Sequence, residues 1–93
     1  MSTPVIAVHL IVHGIVQGVF FRKHTKEKAD ELIVSGTVCN RPDGSVEIHA
    51  EGSRERIEAL IDWCRIGPPR ATVNRVDIHD ATVKNYSGFV ILR

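Results

Sequence analysis

Residues 5–34 read VIAVHLIVHGIVQGVFFRKHTKEKADELIV, and the change of period inside this stretch decides the fold. From Val5 to His13 nearly every residue is apolar or β-branched, which suits a central strand covered on at least one face. Ile6, Val8, Leu10 and Val12 share one face of that strand by the two-residue period. Two glycines and two phenylalanines follow in residues 14–21. A helical pattern then runs from Phe21 to Val34, with Phe21, Thr25, Ala29, Leu32 and Ile33 on one stripe and Lys23, Lys26, Glu27 and Asp30 facing out. Gly36 is the expected stop of this helix.

Working outward, residues 37–51 predict a hairpin. Arg41-Pro42-Asp43-Gly44 supplies its turn, with proline fixing φ and glycine accepting a positive one. Val38 and Asn40 share a face before the turn; after it Val46, Ile48 and Ala50 alternate with Glu47, His49 and Glu51. Ser53 is a good N-cap and Glu55 suits a first helical turn. Ile57, Leu60, Ile61 and Cys64 recur at helical spacing until Gly67-Pro68-Pro69 ends that helix, and Trp63 and Cys64 are expected in or beside the core. Residues 71–79 read as a strand whose apolar parity slips between Val73 and Val76, the mark of a bulge. Residues 86–92 make a short last strand. The order β-α-β-β-α-β plus a terminal strand predicts an α+β, ferredoxin-like split βαβ sandwich. Its antiparallel sheet has four to five strands, with two helices on one face.

Ninety-three residues suffice for a single domain, taken as 1–93, and are too few for two. The formal net charge of +1 is too small to steer a polyanion, so no nucleic-acid partner is expected. Nothing approaches the roughly 20 apolar residues of a membrane span. Met1-Ser2-Thr3-Pro4 does not read as a signal peptide, which leaves the cytoplasm as the expected location. Cys39 and Cys64 sit in no metal or redox spacing and are expected as free thiols. Of the five histidines, those on strands alternate with apolar residues and read as exposed sheet positions; His24 follows Arg22 but lies elsewhere on the helix turn.

The chemistry concentrates in Gly14-Ile15-Val16-Gln17-Gly18-Val19-Phe20-Phe21-Arg22, between a buried strand and a helix. Glycines there permit tight turning and close approach to a ligand. A helix start offers unpaired N–H donors and a partial positive charge, so an anion is its natural occupant. Arg22 in the first turn is unfavourable to the helix dipole unless something negative compensates it, as a bound phosphate would. The stretch is neither a Walker A loop nor a G-x-G-x-x-G loop. Spacing alone is also met by an ordinary βα turn carrying a surface arginine.

Val16-Gln-Gly-Val-Phe-Phe-Arg-Lys-His-Thr25 resembles the signature loop of the acylphosphatase family. Val38-Cys-Asn-Arg-Pro-Asp-Gly-Ser-Val-Glu47 resembles that family's second motif. Gly67-Pro-Pro-Arg-Ala-Thr-Val73 resembles the segment after its second helix, and Tyr86 and Phe89 fit its last strand. The resemblance implies that backbone amides of Gln17, Gly18, Val19, Phe20 and Phe21 cradle a phosphate. It further implies that Arg22 binds the phosphate oxygens and that Asn40 orients the attacking water. The implied activity is hydrolysis of the carboxyl–phosphate anhydride of a small acyl phosphate by a monomer without metal or cofactor. Two departures are mild: Thr37 stands where many members carry an aromatic, and Phe20 where many bacterial members carry glycine. A non-catalytic domain of the same fold that binds a small anion is the alternative. An RNA-binding sheet is disfavoured, because residues 5–13 and 45–51 hold no aromatic on which a base could stack.

Overall fold

The computed structural model describes residues 4–92, so Met1, Ser2 and Thr3 of the start read above lie outside the described residues. Seven elements follow one another: β1 (Ile6–Ile15), α1 (Phe21–Leu32), β2 (Ser35–Asn40), β3 (Val46–Gly52), α2 (Arg54–Ile66), β4 (Thr72–Ala81) and β5 (Phe89–Ile91). The strands form one sheet in the order β4-β1-β3-β2-β5. The first four pair antiparallel, while β5 runs parallel to β2, so the sheet is mixed rather than wholly antiparallel. The last strand is also shorter than expected. Tyr86 lies before it, in the segment after β4, where its N–H and that of Lys84 donate to the buried Glu51 carboxylate.

Both helices cover the face made by Val8, Leu10, Val12, Val38, Val46, Ile48 and Ala50, and Phe21, Ala29, Ile57, Leu60 and Cys64 close the core from above. Each fully buried Leu, Ile or Val contributes about 1.5–3 kcal/mol. Trp63 is half-buried against this core, its ring tilted on Phe21 at 5.6 Å between centroids. Among the described residues no helix is long and apolar enough to cross a membrane.

Three local expectations need correction. Helix α1 stops at Leu32, because Ile33 adopts the left-handed conformation (φ 57°) and closes the end with Val34 N–H donating to Ala29 O and Ile33 N–H to Asp30 O. Ile33 is therefore exposed and off the buried stripe, and Val34 turns into the core instead. Gly36 is not the stop but a strand residue. A Cβ there would sit 1.8 Å from His49 O, so β2 reaches β3 only with glycine at this place. Gly14 and Ile15 likewise belong to β1, paired with Val73 and Thr72, so the loop begins at Val16. The bulge expected in β4 is present: His13 pairs Arg75 and Gly14 pairs Val73, leaving Asn74 as the extra residue.

Candidate active site

The two helix starts differ. Ser53 caps α2, its Oγ accepting from Arg56 N–H, and Glu55 follows in the first turn. Helix α1 has no side-chain cap and no acidic residue in its first turn. Its N-cap, Phe20, is left-handed (φ 62°), and Gly18 before it also has positive φ (74°). Positive φ at Gly18 and Phe20, with Val19 between them, gives the alternation of backbone conformation from which anion nests are built. The donors of α1, Arg22 and Lys23 thus meet at a terminus whose first turn carries no acidic side chain.

A depression of ≈ 440 Å³ opens at this terminus, bordered by Val16, Gly18, Phe20, Phe21, Arg22, Lys23, Asn40 and Ile91. Asn40 reaches it because it ends β2 on the core face, two residues beyond buried Val38, where the helix layer no longer covers the strand. Arg22 and Asn40, 18 positions apart in the chain, therefore border one space. Gln17 and Val19 do not border it with their side chains. Gln17 Nε2 donates to Arg41 O (2.7 Å) and Ser45 O (2.9 Å), which ties the loop to the β2–β3 turn. Val19 packs on the core. The turn is itself braced, with Gly44 N–H donating to Arg41 O and Asp43 Oδ1 accepting from Ser45 N–H.

Sequence reasoning missed the tethering role of Gln17, which no local pattern signals, and the second cation, Lys23, which reads as one more solvated helix charge. Cys39, beside Asn40, projects to the opposite face of the sheet. Burial, then its hydrogen bond to Glu47, pushes the thiol above its ordinary range, so it is no thiolate nucleophile near neutral pH. The sheet histidines are less exposed than expected: His9, His13 and His49 are half-buried on that same reverse face, and His79 is exposed.

A family model described as acylphosphatase matches residues 8–91. The chain is 47% identical over 88 residues to an acylphosphatase of Acidovorax sp. (strain JS42), covering 95% of this chain and 91% of the relative. Among solved structures, an acylphosphatase from Coxiella burnetii superposes with a TM-score of 0.91 at 41% identity, covering 95% of this chain and 93% of the other. An acylphosphatase from Bacillus subtilis gives 0.92 at 31% identity, covering 95% and 99%.

Proposed function

The chain belongs to the acylphosphatase family, and on that premise we propose how its own residues perform the hydrolysis of an acyl phosphate to a carboxylate and inorganic phosphate. Backbone N–H groups of Gln17 to Phe21 and the Arg22 guanidinium hold the phosphoryl oxygens, and the Asn40 carboxamide orients the attacking water. One observation carries this reading: the uncapped start of α1, Arg22 and Asn40 all border a single depression.

The reaction asks little covalent chemistry of the protein. Water oxygen bonds to phosphorus as the bond from phosphorus to the acyl oxygen breaks, and that electron pair leaves on a carboxylate. A good leaving group favours a loose transition state, in which positioning and charge neutralisation supply the catalysis. Each charge-assisted hydrogen bond from Arg22 or the loop is worth about 1.5–3 kcal/mol. Asn40 cannot take a proton near neutral pH, so it aligns the water, and the phosphoryl group accepts the proton.

We also take 1–93 as one domain working as a cytoplasmic monomer. A single buried cluster and two free cysteines, Cys39 and Cys64, support this, and light scattering on the purified chain tests the monomer. For the chemistry, the decisive assay is hydrolysis of acetyl phosphate in excess chelator. Wild type is expected to retain its rate. Asn40→Ala should lower kcat while inorganic phosphate inhibits at an unchanged concentration. Arg22→Ala should weaken that inhibition and cut kcat/KM by about 10²–10³-fold. Undiminished activity in both variants would remove these roles.

A further inference from the structure

On the sheet face turned away from the helices, strand register sets three histidines in a row. His79 of β4 stands opposite His9 of β1, and His9 opposite His49 of β3. Glu47, two residues before His49 on β3, shares that face and lies opposite Cys39 of β2. None of these side chains borders the depression at the start of α1. The His9 and His49 rings stack, 4.5 Å between centroids and 17° between planes. His9 Nε2 lies 2.7 Å from Glu47 Oε2, and His49 Nε2 lies 4.0 Å from the same oxygen. Donor atoms of His9, Glu47 and His49 all fall within 4.8 Å of one another.

We propose that His9, Glu47 and His49 form a binding site for a divalent transition-metal ion of the zinc type, separate from the hydrolytic site. Two imidazoles and one carboxylate suit zinc, copper(II) or nickel(II) better than magnesium or calcium, which favour all-oxygen shells. Around a tetrahedral ion with ligands near 2.0–2.2 Å, donor atoms stand about 3.4 Å apart. The observed separations bracket that spacing, but the His9 and His49 rings now stack nearly parallel, so closing the site requires both side chains to turn out of the stack until their Nε2 lone pairs converge on one ion. The backbone does not have to move, because two adjacent, hydrogen-bonded strands hold all three residues. Binding needs both Nε2 atoms free of protons, with each ring proton on Nδ1, and replaces the His9–Glu47 hydrogen bond by two bonds to the ion.

The three side chains are 26%, 25% and 32% exposed, walled by neighbours yet open to solvent. A depression of ≈ 310 Å³ beside His9 and His49, bordered by Lys84 and Tyr86, leaves the fourth coordination position to water or a small ligand. The groups opposing the ion are cationic: Arg41 Nη1, 3.4 Å from Glu47 Oε2, and Lys84. Arg41 must yield Glu47 to the ion, which lowers the affinity.

The test is calorimetric titration of the untagged full chain with zinc chloride. One ion per chain is expected, with affinity reduced at least tenfold in His49→Ala and in Glu47→Gln. His24→Ala, on helix α1, should bind as wild type does. A variant that merely unfolds is told apart by its melting curve without metal. Wild type provides a second measurement: the Nε2 nitrogen resonances of His9 and His49 should shift on zinc addition and those of His24 should not. With cobalt(II), visible bands of nitrogen and oxygen ligation are expected. Absence of zinc binding, undiminished binding in a His9→Ala/His49→Ala double variant, or a sulfur charge-transfer band from Cys39 would each overturn the assignment.

Discussion

At Gly18, whose N–H is proposed to hold the phosphate, the backbone conformation is what the residue contributes. Its φ of 74° suits glycine, and a Cβ placed there meets no atom within 4 Å. Gly18→Ala therefore meets no steric clash, only the cost of a left-handed L-residue, about 1–2 kcal/mol. The loop can shed that cost by leaving the left-handed region, which turns its amides away from the anion. The expected result is a roughly tenfold rise in both KM for acetyl phosphate and the phosphate concentration giving half inhibition, as loss of one charge-assisted hydrogen bond implies. Melting temperature should fall by only a few degrees. Unchanged phosphate inhibition would mean that the loop amides do not hold the anion. Phe20, the neighbouring left-handed residue, shows the same preference from the other side, since it stands where the resemblance places a glycine in many bacterial relatives.

Among the elements, the joint between β1 and β4 tolerates change as poorly as the contact of β2 with β3 at Gly36. A Cβ on Gly14 would lie 2.0 Å from Thr72 O and 2.9 Å from Asn74 N, both backbone atoms, at a φ of 135°. Gly14→Ala must push the strands apart beside the bulge and lose ladder hydrogen bonds, a cost of about 2–4 kcal/mol. Gly44→Ala in the β2–β3 turn meets open space at φ 93° and should cost about 1 kcal/mol. Urea unfolding midpoints check the order, and equal midpoints would sink the account. The bulge was legible because a parity slip within one strand appears directly in the residue pattern. The hairpin was legible because Pro42 and Gly44 have few other uses. The end of α1 was not, since Ile33 occupies the left-handed position where glycine is the usual signal, while Gly36 serves the contact between β2 and β3. Nor could three residues of β5 announce a parallel pairing. In the site, the loop's glycines and Arg22 were readable from anion chemistry. Asn40 came only from family resemblance, because its approach to Arg22 depends on where the helix layer ends. The histidine row was hidden for the same reason: it depends on register between strands, which no single strand encodes.

For the molecule as a whole, the sheet separates two chemistries. One face is closed by the helices into a dry core, and the other keeps titratable groups in reach of water. Cys64 lies on the dry side with no exposed surface, and burial pushes its thiol up from 9.0 to about 12. The folded state therefore holds this proton through a pH range in which the unfolded chain releases it. By linkage the stabilisation is complete below pH 9 and is lost as pH rises toward 12. At about 1.36 kcal/mol per pH unit, the loss across this range is on the order of a few kcal/mol, a sizeable share of the 5–15 kcal/mol typical of a small domain. Cys39, half-exposed on the other face, contributes little to this slope. Cys64→Ala should lower stability near neutral pH through the cavity it leaves, yet lose less stability than wild type between pH 9 and 11. Urea unfolding of both proteins at pH 7, 9, 10 and 11 measures the difference, and the comparison cancels the tyrosine and lysine titrations that the two share. Parallel stability curves would mean that Cys64 ionises as readily in the fold as in the unfolded chain, and that water reaches the core beneath α2.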